Sequence, residues 1–247
     1  MPVTSIMPVF LPGDLIPTSQ IPTSQKRKIG HGLQQNRETN FLATIGGFLE
    51  IDYRKKTAQI STPDARYIPK AGDLVIAQVR ISTADFFHVY INPYSPQAFL
   101  PQLAFEGATK KTRPQLKAND LVYAKVVSAQ KNMEIELSCV NPSTGKAEPD
   151  GLGPLNGGMV FDVSPGLAER LLKKQGVVAL EELGSRLQGG FEIAVGKNGK
   201  VWVDCPEAGV KGICAVGRCL REMDENEMKQ KEQKKLANKI IAELERG

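Results

Sequence analysis

The sequence predicts a mainly β chain that closes with an α+β region, and three observations carry that prediction. An acid-led apolar run, Asp73-Leu-Val-Ile-Ala-Gln-Val79, returns as Asp120-Leu-Val-Tyr-Ala-Lys-Val126. Both alternate their side chains with the period of a pleated strand. Past Pro142-Ser-Thr-Gly145 the leucines begin to recur at helical spacing. Further on, Gly196-Lys-Asn-Gly199 separates Phe191-Glu-Ile-Ala-Val195 from Lys200-Val-Trp-Val203, and Asn-Gly between two β runs is a strong hairpin signal.

Residues 1–66 read as a small β domain behind a proline-rich leader. Ile16-Pro-Thr-Ser-Gln20 repeats at once as Ile21-Pro-Thr-Ser-Gln25. Proline blocks helix interiors and ladder donors, so this stretch is expected to be loop or extended chain. Lys26-Arg27-Lys28 is a basic cluster, either a solvated loop or an RNA contact. Strand texture begins at Phe41-Leu-Ala-Thr-Ile45, turns at Gly46-Gly47, and continues through Phe48-Leu-Glu-Ile51 and Thr57-Ala-Gln-Ile60.

Residues 67–142 hold five strand candidates, at 73–81, 85–91, 97–100, 120–128 and 133–139. Their spacing fits one five-stranded barrel of the oligonucleotide-binding (OB) type. In 120–128, alternation puts Leu121, Tyr123, Lys125 and Val127 on one face. Val122, Ala124 and Val126 then point into the barrel.

Residues 143–247 read as strand, two helices, two strands, helix. The strand is Met159-Val-Phe-Asp-Val163. One helix runs from Gly166 to Lys174 with Leu167, Leu171 and Leu172 in step, and the next from Val177 to Leu187 with Leu180, Leu183 and Leu187 on one stripe. A last helix begins within 210–223. Leu236, Ile240 and Leu244 lie four apart beyond it, but the heavy charge of 221–239 suggests a solvated helix or a frayed tail.

The 247 residues suffice for two or three small domains, and 41% of them are hydrophobic. The net charge of +5 permits an RNA partner and equally fits an ordinary basic protein. No long apolar run is present, so no membrane partner is expected. Met1 to Leu11 lacks a charged start and an apolar block, which argues for an intracellular, reducing compartment with four free thiols, Cys139, Cys205, Cys214 and Cys219. These are expected to pack as small buried hydrophobes. Without a Cys-x-x-Cys pair, and with only His31 and His88 to add nitrogen ligands, no metal is expected. Gly151-Leu-Gly-Pro-Leu-Asn-Gly157 puts Asn156 where a dinucleotide loop needs its third glycine, and no phosphate-cradling Gly-Lys-Ser/Thr loop exists. Carboxylates are scattered, so nothing nominates an enzyme and no cofactor is implied.

Between Phe105 and Pro114 runs a cationic loop, Phe-Glu-Gly-Ala-Thr-Lys-Lys-Thr-Arg-Pro. Taken in order with Phe10-Leu-Pro-Gly-Asp14, Arg66-Tyr-Ile-Pro69, Gly72-Asp73, Asp120-Leu-Val-Tyr123, Gly196-Lys-Asn-Gly199 and Val201-Trp-Val203, it resembles the S1/KH cap subunits of the RNA exosome, of the ribosomal-RNA-processing protein 40 type (exosome component three). The resemblance spans nearly the whole chain. It implies an N-terminal β domain, a central S1 barrel and a C-terminal KH-like domain. It also implies a non-catalytic subunit seated on RNase PH-like ring subunits beside other S1-bearing cap subunits, threading single-stranded RNA toward a separate 3′→5′ exoribonuclease in the nucleus, nucleolus and cytoplasm.

Two departures from the general patterns bear on the site. RNA-gripping S1 domains often carry two aromatics on strand two and a histidine after strand three. Here Phe86 fits the first position, Val89 falls at the second, Pro101 replaces the histidine, and Gln130 and Glu134 stand near the places of an Asp and an Arg. A weakened S1 face is therefore expected. An RNA-clamping KH loop lies between two helices, whereas Gly196-Lys-Asn-Gly199 lies between strands. That placement and the family reading both make Gly196, Asn198 and Gly199 a structural turn, with direct RNA contact as the alternative, and Trp202, on the strand beside it, is expected to be buried at a domain contact. The RNA-contact candidates are Lys110, Lys111 and Arg113 on the basic loop, Phe86 as a stacking residue, and Lys125 and Lys131. Each has a plainer alternative, a solvated loop for the cations and a core or interface role for Phe86. Two other functions remain open at this level: a free-standing S1/KH RNA-binding protein of translation or ribosome assembly, and a nuclease in its own right.

Overall fold

The computed structural model describes residues 9–17, 28–36, 40–52, 57–62, 66–93, 95–130, 133–141, 144–173, 177–226 and 230–246. The chain divides into two compact units, Met1–Ala65 and Arg66–Gly247.

The first unit is built from β1 (Val9–Phe10), β2 (Leu15–Pro17), β3 (Lys28–Ile29), β4 (Leu33–Asn36), β5 (Asn40–Ala43), β6 (Gly47–Asp52) and β7 (Thr57–Ser61). They form two sheets, β1-β6-β7-β3 and β2-β5-β4. Ile16, Leu33, Phe41, Ala43, Ala58 and Ile60 make the core between them. Of the two expectations for Ile16-Pro17, loop or extended chain, the structure has the extended one, as strand β2. Ile16 pairs with Phe41 and is fully buried, and Pro17 closes the strand where its missing N–H costs least. The rest of the repeat, and Lys26-Arg27, lie outside the described residues.

The second unit opens with a barrel of β8 (Leu74–Ser82), β9 (Phe86–Tyr90), β10 (Ala98–Pro101), β11 (Leu121–Ser128) and β12 (Ile135–Ser138). β12 pairs with both β10 and β11, which closes it. Both acid-led strands start from the same turn. In Lys70-Ala-Gly-Asp73 and Lys117-Ala-Asn-Asp120, the Asp N–H donates to the Lys carbonyl, and Oδ2 of the Asp accepts from the Lys N–H, at 3.1 Å and 2.7 Å respectively. Gly72 and Asn119 take the left-handed conformation that such a turn requires. The two strands are antiparallel neighbours, with Leu74 opposite Lys125. Val122, Ala124 and Val126 face inward as the alternation predicts. A further strand, β13 (Gly153–Leu155), pairs with Leu121–Tyr123, so this sheet runs beyond residue 142.

The C-terminal part follows the expected order through β14 (Met159–Asp162), α1 (Pro165–Leu172), α2 (Val178–Arg186), β15 (Glu192–Gly196) and β16 (Lys200–Asp204), and then ends in two helices where one was expected, α3 (Gly209–Glu225) and α4 (Gln230–Arg246). Strand alternation splits the sheet β14-β16-β15 between two cores. Val160, Trp202 and Ala194, in register across it, join the barrel core. Phe161, Val201 and Val195, in the next register, join the helices. Ser164 caps α1, its Oγ accepting from the Leu167 N–H, and Asp224 of α3 accepts from both the N–H and the hydroxyl of Ser164. The charged end is not a frayed tail. Leu236, Ala237, Ile240 and Ile241 are buried in the helical core, and the charges occupy the other side of α4. Cys139, Cys205 and Cys219 are buried as expected, whereas Cys214 is exposed.

Candidate nucleic-acid interface

On β9, alternation sends Phe87 and Val89 into the barrel and leaves Phe86, His88 and Tyr90 outward. The neighbouring strands complete this outer face. Phe99 of β10 stands opposite His88, and Ile81 of β8 also pairs with His88 across a bulge at Arg80. Phe86 is 41% exposed and meets Phe99 edge to face, with ring centroids 5.6 Å apart. The Arg80 guanidinium lies 5.1 Å from the Tyr90 ring centroid, within cation–π range. Val89 is a core residue, and the aromatic neighbour of Phe86 on this face is Phe99 of the adjacent strand. The alternation of Phe86-Phe-His-Val-Tyr90 held the signal for His88 and Tyr90; nothing in the sequence paired Phe99 with Phe86.

The basic loop is a braced turn. Thr109 Oγ1 accepts from the Thr112 N–H at 3.2 Å, and Thr112 Oγ1 accepts from the Thr109 N–H at 3.0 Å. This is a reciprocal capping box with threonine in the place of glutamate. It presents Lys110 and Lys111, both exposed, between the two caps. At the far end, Nη1 of Arg113 donates to the Ala84 carbonyl at 3.0 Å, in the turn that leads to Phe86. Loop and aromatic face are thus joined into one surface. Lys125 is not part of it: its ammonium pairs with Asp150 at 3.3 Å on the side where β13 joins the sheet. Lys131 lies outside the described residues.

Gly196-Lys-Asn-Gly199 is a hairpin turn whose tip is inserted into the barrel wall. The Gly199 N–H donates to Gly196 O, and Gly199 has φ +77° while Asn198 stays outside the left-handed region. This is the three-residue form, a turn followed by a left-handed glycine. β8–β9 pairing ends at Gln78 opposite Tyr90, and the Asn198 carboxamide takes over beyond that point. Its Oδ1 accepts from the Ile76 N–H at 3.3 Å, and its Nδ2 donates to Ile76 O at 2.9 Å and Ile91 O at 2.8 Å. The Lys197 N–H donates to Leu74 O, and the Lys197 ammonium pairs with Asp73 at 2.9 Å. The two glycines have different reasons. A Cβ on Gly196 would stand 2.8 Å from the Ile76 nitrogen, and one on Gly199 would stand 2.6 Å from Val163 O in addition to the positive φ. Trp202 is 5% exposed and donates Nε1–H to Gly157 O at 2.9 Å. Tyr123 joins the same seam through its hydroxyl, which donates to Val195 O; burial, with Asp150 nearby, pushes its phenol well above the ordinary range. The Asn198 carboxamide, the Lys197 N–H and the Lys197 ammonium are thus all engaged by the barrel.

Among the described residues, no group of three His, Cys, Asp or Glu could hold a metal ion, and no helix is long and apolar enough to cross a membrane.

A closed five-stranded barrel locked by a Gly-x-Asn-Gly hairpin to a βααββα domain with one further helix, α4, defines an S1/KH protein. The family model for the S1 domain of exosome complex component RRP40 matches residues 67–153, and a KH-domain model matches residues 158–209. Exosome complex component RRP40 of Saccharomyces cerevisiae is 35% identical over 203 residues, 80% of this chain and 82% of that one. Its counterpart in Schizosaccharomyces pombe is 36% identical over 230 residues, 91% of this chain and 93% of that one. A solved structure described as a candidate exosome complex RNA-binding protein superposes with a TM-score of 0.55 at 24% identity, covering 74% of this chain and 98% of the other, which shows a common fold. The chain belongs to the exosome complex component RRP40 family.

Proposed function

We propose that this chain is a non-catalytic, RNA-binding cap subunit of the RNA exosome. It steadies a ring of RNase PH-like subunits beside other S1-bearing cap proteins. It guides single-stranded RNA toward a separate 3′→5′ exoribonuclease, in the nucleus and nucleolus and also in the cytoplasm. Family membership supports the assembly. The observation that carries the RNA role is the joined surface of Phe86, Phe99, Lys110 and Lys111 on the barrel. Aromatic rings stack on any base, and cations follow the phosphate backbone, so the surface suits single strands of any sequence. A modest site is enough when several cap proteins hold one strand at high effective concentration.

Native mass spectrometry of the endogenous protein tests the assembly: it should arrive with ring subunits at fixed stoichiometry. A free, monomeric chain would favour a free-standing RNA-binding protein. The purified chain should leave RNA intact with Mg²⁺ present. RNA shortening that follows it through successive columns and vanishes on a point mutation in it would make it an enzyme.

A further inference from the structure

The turn between β8 and β9, Thr83-Ala-Asp85, ends at Phe86, and each of its three carbonyls is held from outside the turn. Thr83 O accepts from Nε2 of Gln102 at 2.5 Å, Ala84 O from Nη1 of Arg113 at 3.0 Å, and Asp85 O from the Gln102 N–H at 2.9 Å. Inside the turn, the Thr83 hydroxyl donates to Phe86 O at 2.7 Å and accepts from the Phe86 N–H at 3.2 Å. Thr83, Ala84 and Asp85 are all exposed, so water would satisfy these carbonyls without help from the protein. Gln102, by contrast, is only 5% exposed, and its Oε1 has no hydrogen-bond partner. A buried amide with one unpaired oxygen is costly, and what it secures in return is the turn that places Phe86.

We propose that Gln102 and Arg113 are positioning residues for RNA. They fix the β8–β9 turn so that Phe86 stands against Phe99 before RNA arrives, and Arg113 acts on RNA through Phe86 rather than by pairing with a phosphate. This rests on the RNA-binding reading above. A platform ordered in advance spares the strand the cost of ordering it, which is the usual source of affinity from preorganisation. The basic loop is then divided in its labour: Lys110 and Lys111 meet the backbone, and Arg113 is the strut.

Fluorescence anisotropy of the full-length chain with labelled polyuridine, over a series of salt concentrations, tests this. Each phosphate contact on a single strand contributes about 0.7 to the slope of log affinity against log salt. Phe86→Ala should lower affinity. Arg113→Ala should lower it by about 3–10-fold with the slope unchanged, and should add nothing in the Phe86→Ala background. Gln102→Ala should follow the same pattern. Because Gln102 is buried and its truncation also risks the fold, the half-buried Arg113 decides. A slope reduced by about 0.7 on Arg113→Ala, or a loss that persists without Phe86, would make Arg113 a phosphate contact and overturn the inference while leaving the RNA role intact. An unchanged affinity on Arg113→Ala where Phe86→Ala has an effect would overturn it too. If neither Phe86→Ala nor the double substitution Lys110→Ala with Lys111→Ala changes affinity, this face does not bind RNA, and the functional reading falls together with the inference.

Discussion

Replacing Asn198 by Ala should loosen the seam between barrel and KH domain more than any other single truncation on the hairpin. The side chain is 6% exposed and makes three hydrogen bonds, to Ile76 N–H, Ile76 O and Ile91 O. At a net contribution of about 1 kcal/mol each, their loss costs about 3 kcal/mol. That sum is a lower bound where water cannot reach the three backbone groups left behind. For a unit of this size, 3 kcal/mol corresponds to roughly 6–12 °C in Tm. Asn198→Asp should be at least as harmful: its carboxylate keeps the Ile76 N–H but places oxygen against two carbonyl oxygens, with a charge buried beside them. The assay is thermal and urea unfolding of the full chain, with amide exchange followed at Ile76 and Gly199. A loss below about 1 kcal/mol for Asn198→Ala, with exchange at both amides unchanged, would refute the view that this carboxamide completes the barrel wall.

Gly199→Val should destabilise by roughly 1–3 kcal/mol, since valine must adopt positive φ and push against Val163 O; calorimetry of the full chain reads the loss. Lys110→Ala with Lys111→Ala should flatten the salt dependence of RNA binding by about 1.4, two contacts at about 0.7 each, without lowering Tm; an unchanged slope removes this loop from the RNA path. Alkaline pH should destabilise the fold. Burial raises the Cys139 thiol well above its ordinary value and pushes Cys219 up to about 12. Above the unfolded thiol's value of about 8.5 the unfolded chain loses these protons first, so stability present below that pH falls as pH rises, by up to roughly 2.7 kcal/mol per pH unit for the two thiols. Urea midpoints between pH 8 and 10 check the sign, and Cys219→Ala should flatten the decline.

Much of the barrel was legible because period-two alternation and a repeated turn mark it directly. Asp73-Leu-Val and Asp120-Leu-Val read as twins, and they lie side by side with the same Lys-Ala-x-Asp closure. The Asn-Gly hairpin was legible for the same local reason. What depends on distant partners was not. β1 and β2 are two and three residues long, and only pairing with β6 and β5 makes them strands. The α4 segment read as a solvated helix or a frayed tail because charge outnumbers its apolar stripe; it is a helix, and that stripe is what α2 and α3 cover. Nothing in the sequence signalled the ion pair between Lys125 and Asp150, 25 residues away. For the candidate site, Phe86 and the lysines were found by residue type. Phe99 and the strut formed by Arg113 were not, since they exist only through contacts across β9–β10 and between loop and turn.

Crosslinking of photoreactive single-stranded RNA to the reconstituted exosome, with the modified peptides read by mass spectrometry, tests the central claim most directly. The account predicts adducts on Phe86, Phe99 and the Lys110–Lys111 peptide, and none at Lys197–Gly199. Adducts concentrated on the Gly196–Gly199 hairpin, with the outer face of β9 and β10 unmodified, would contradict it.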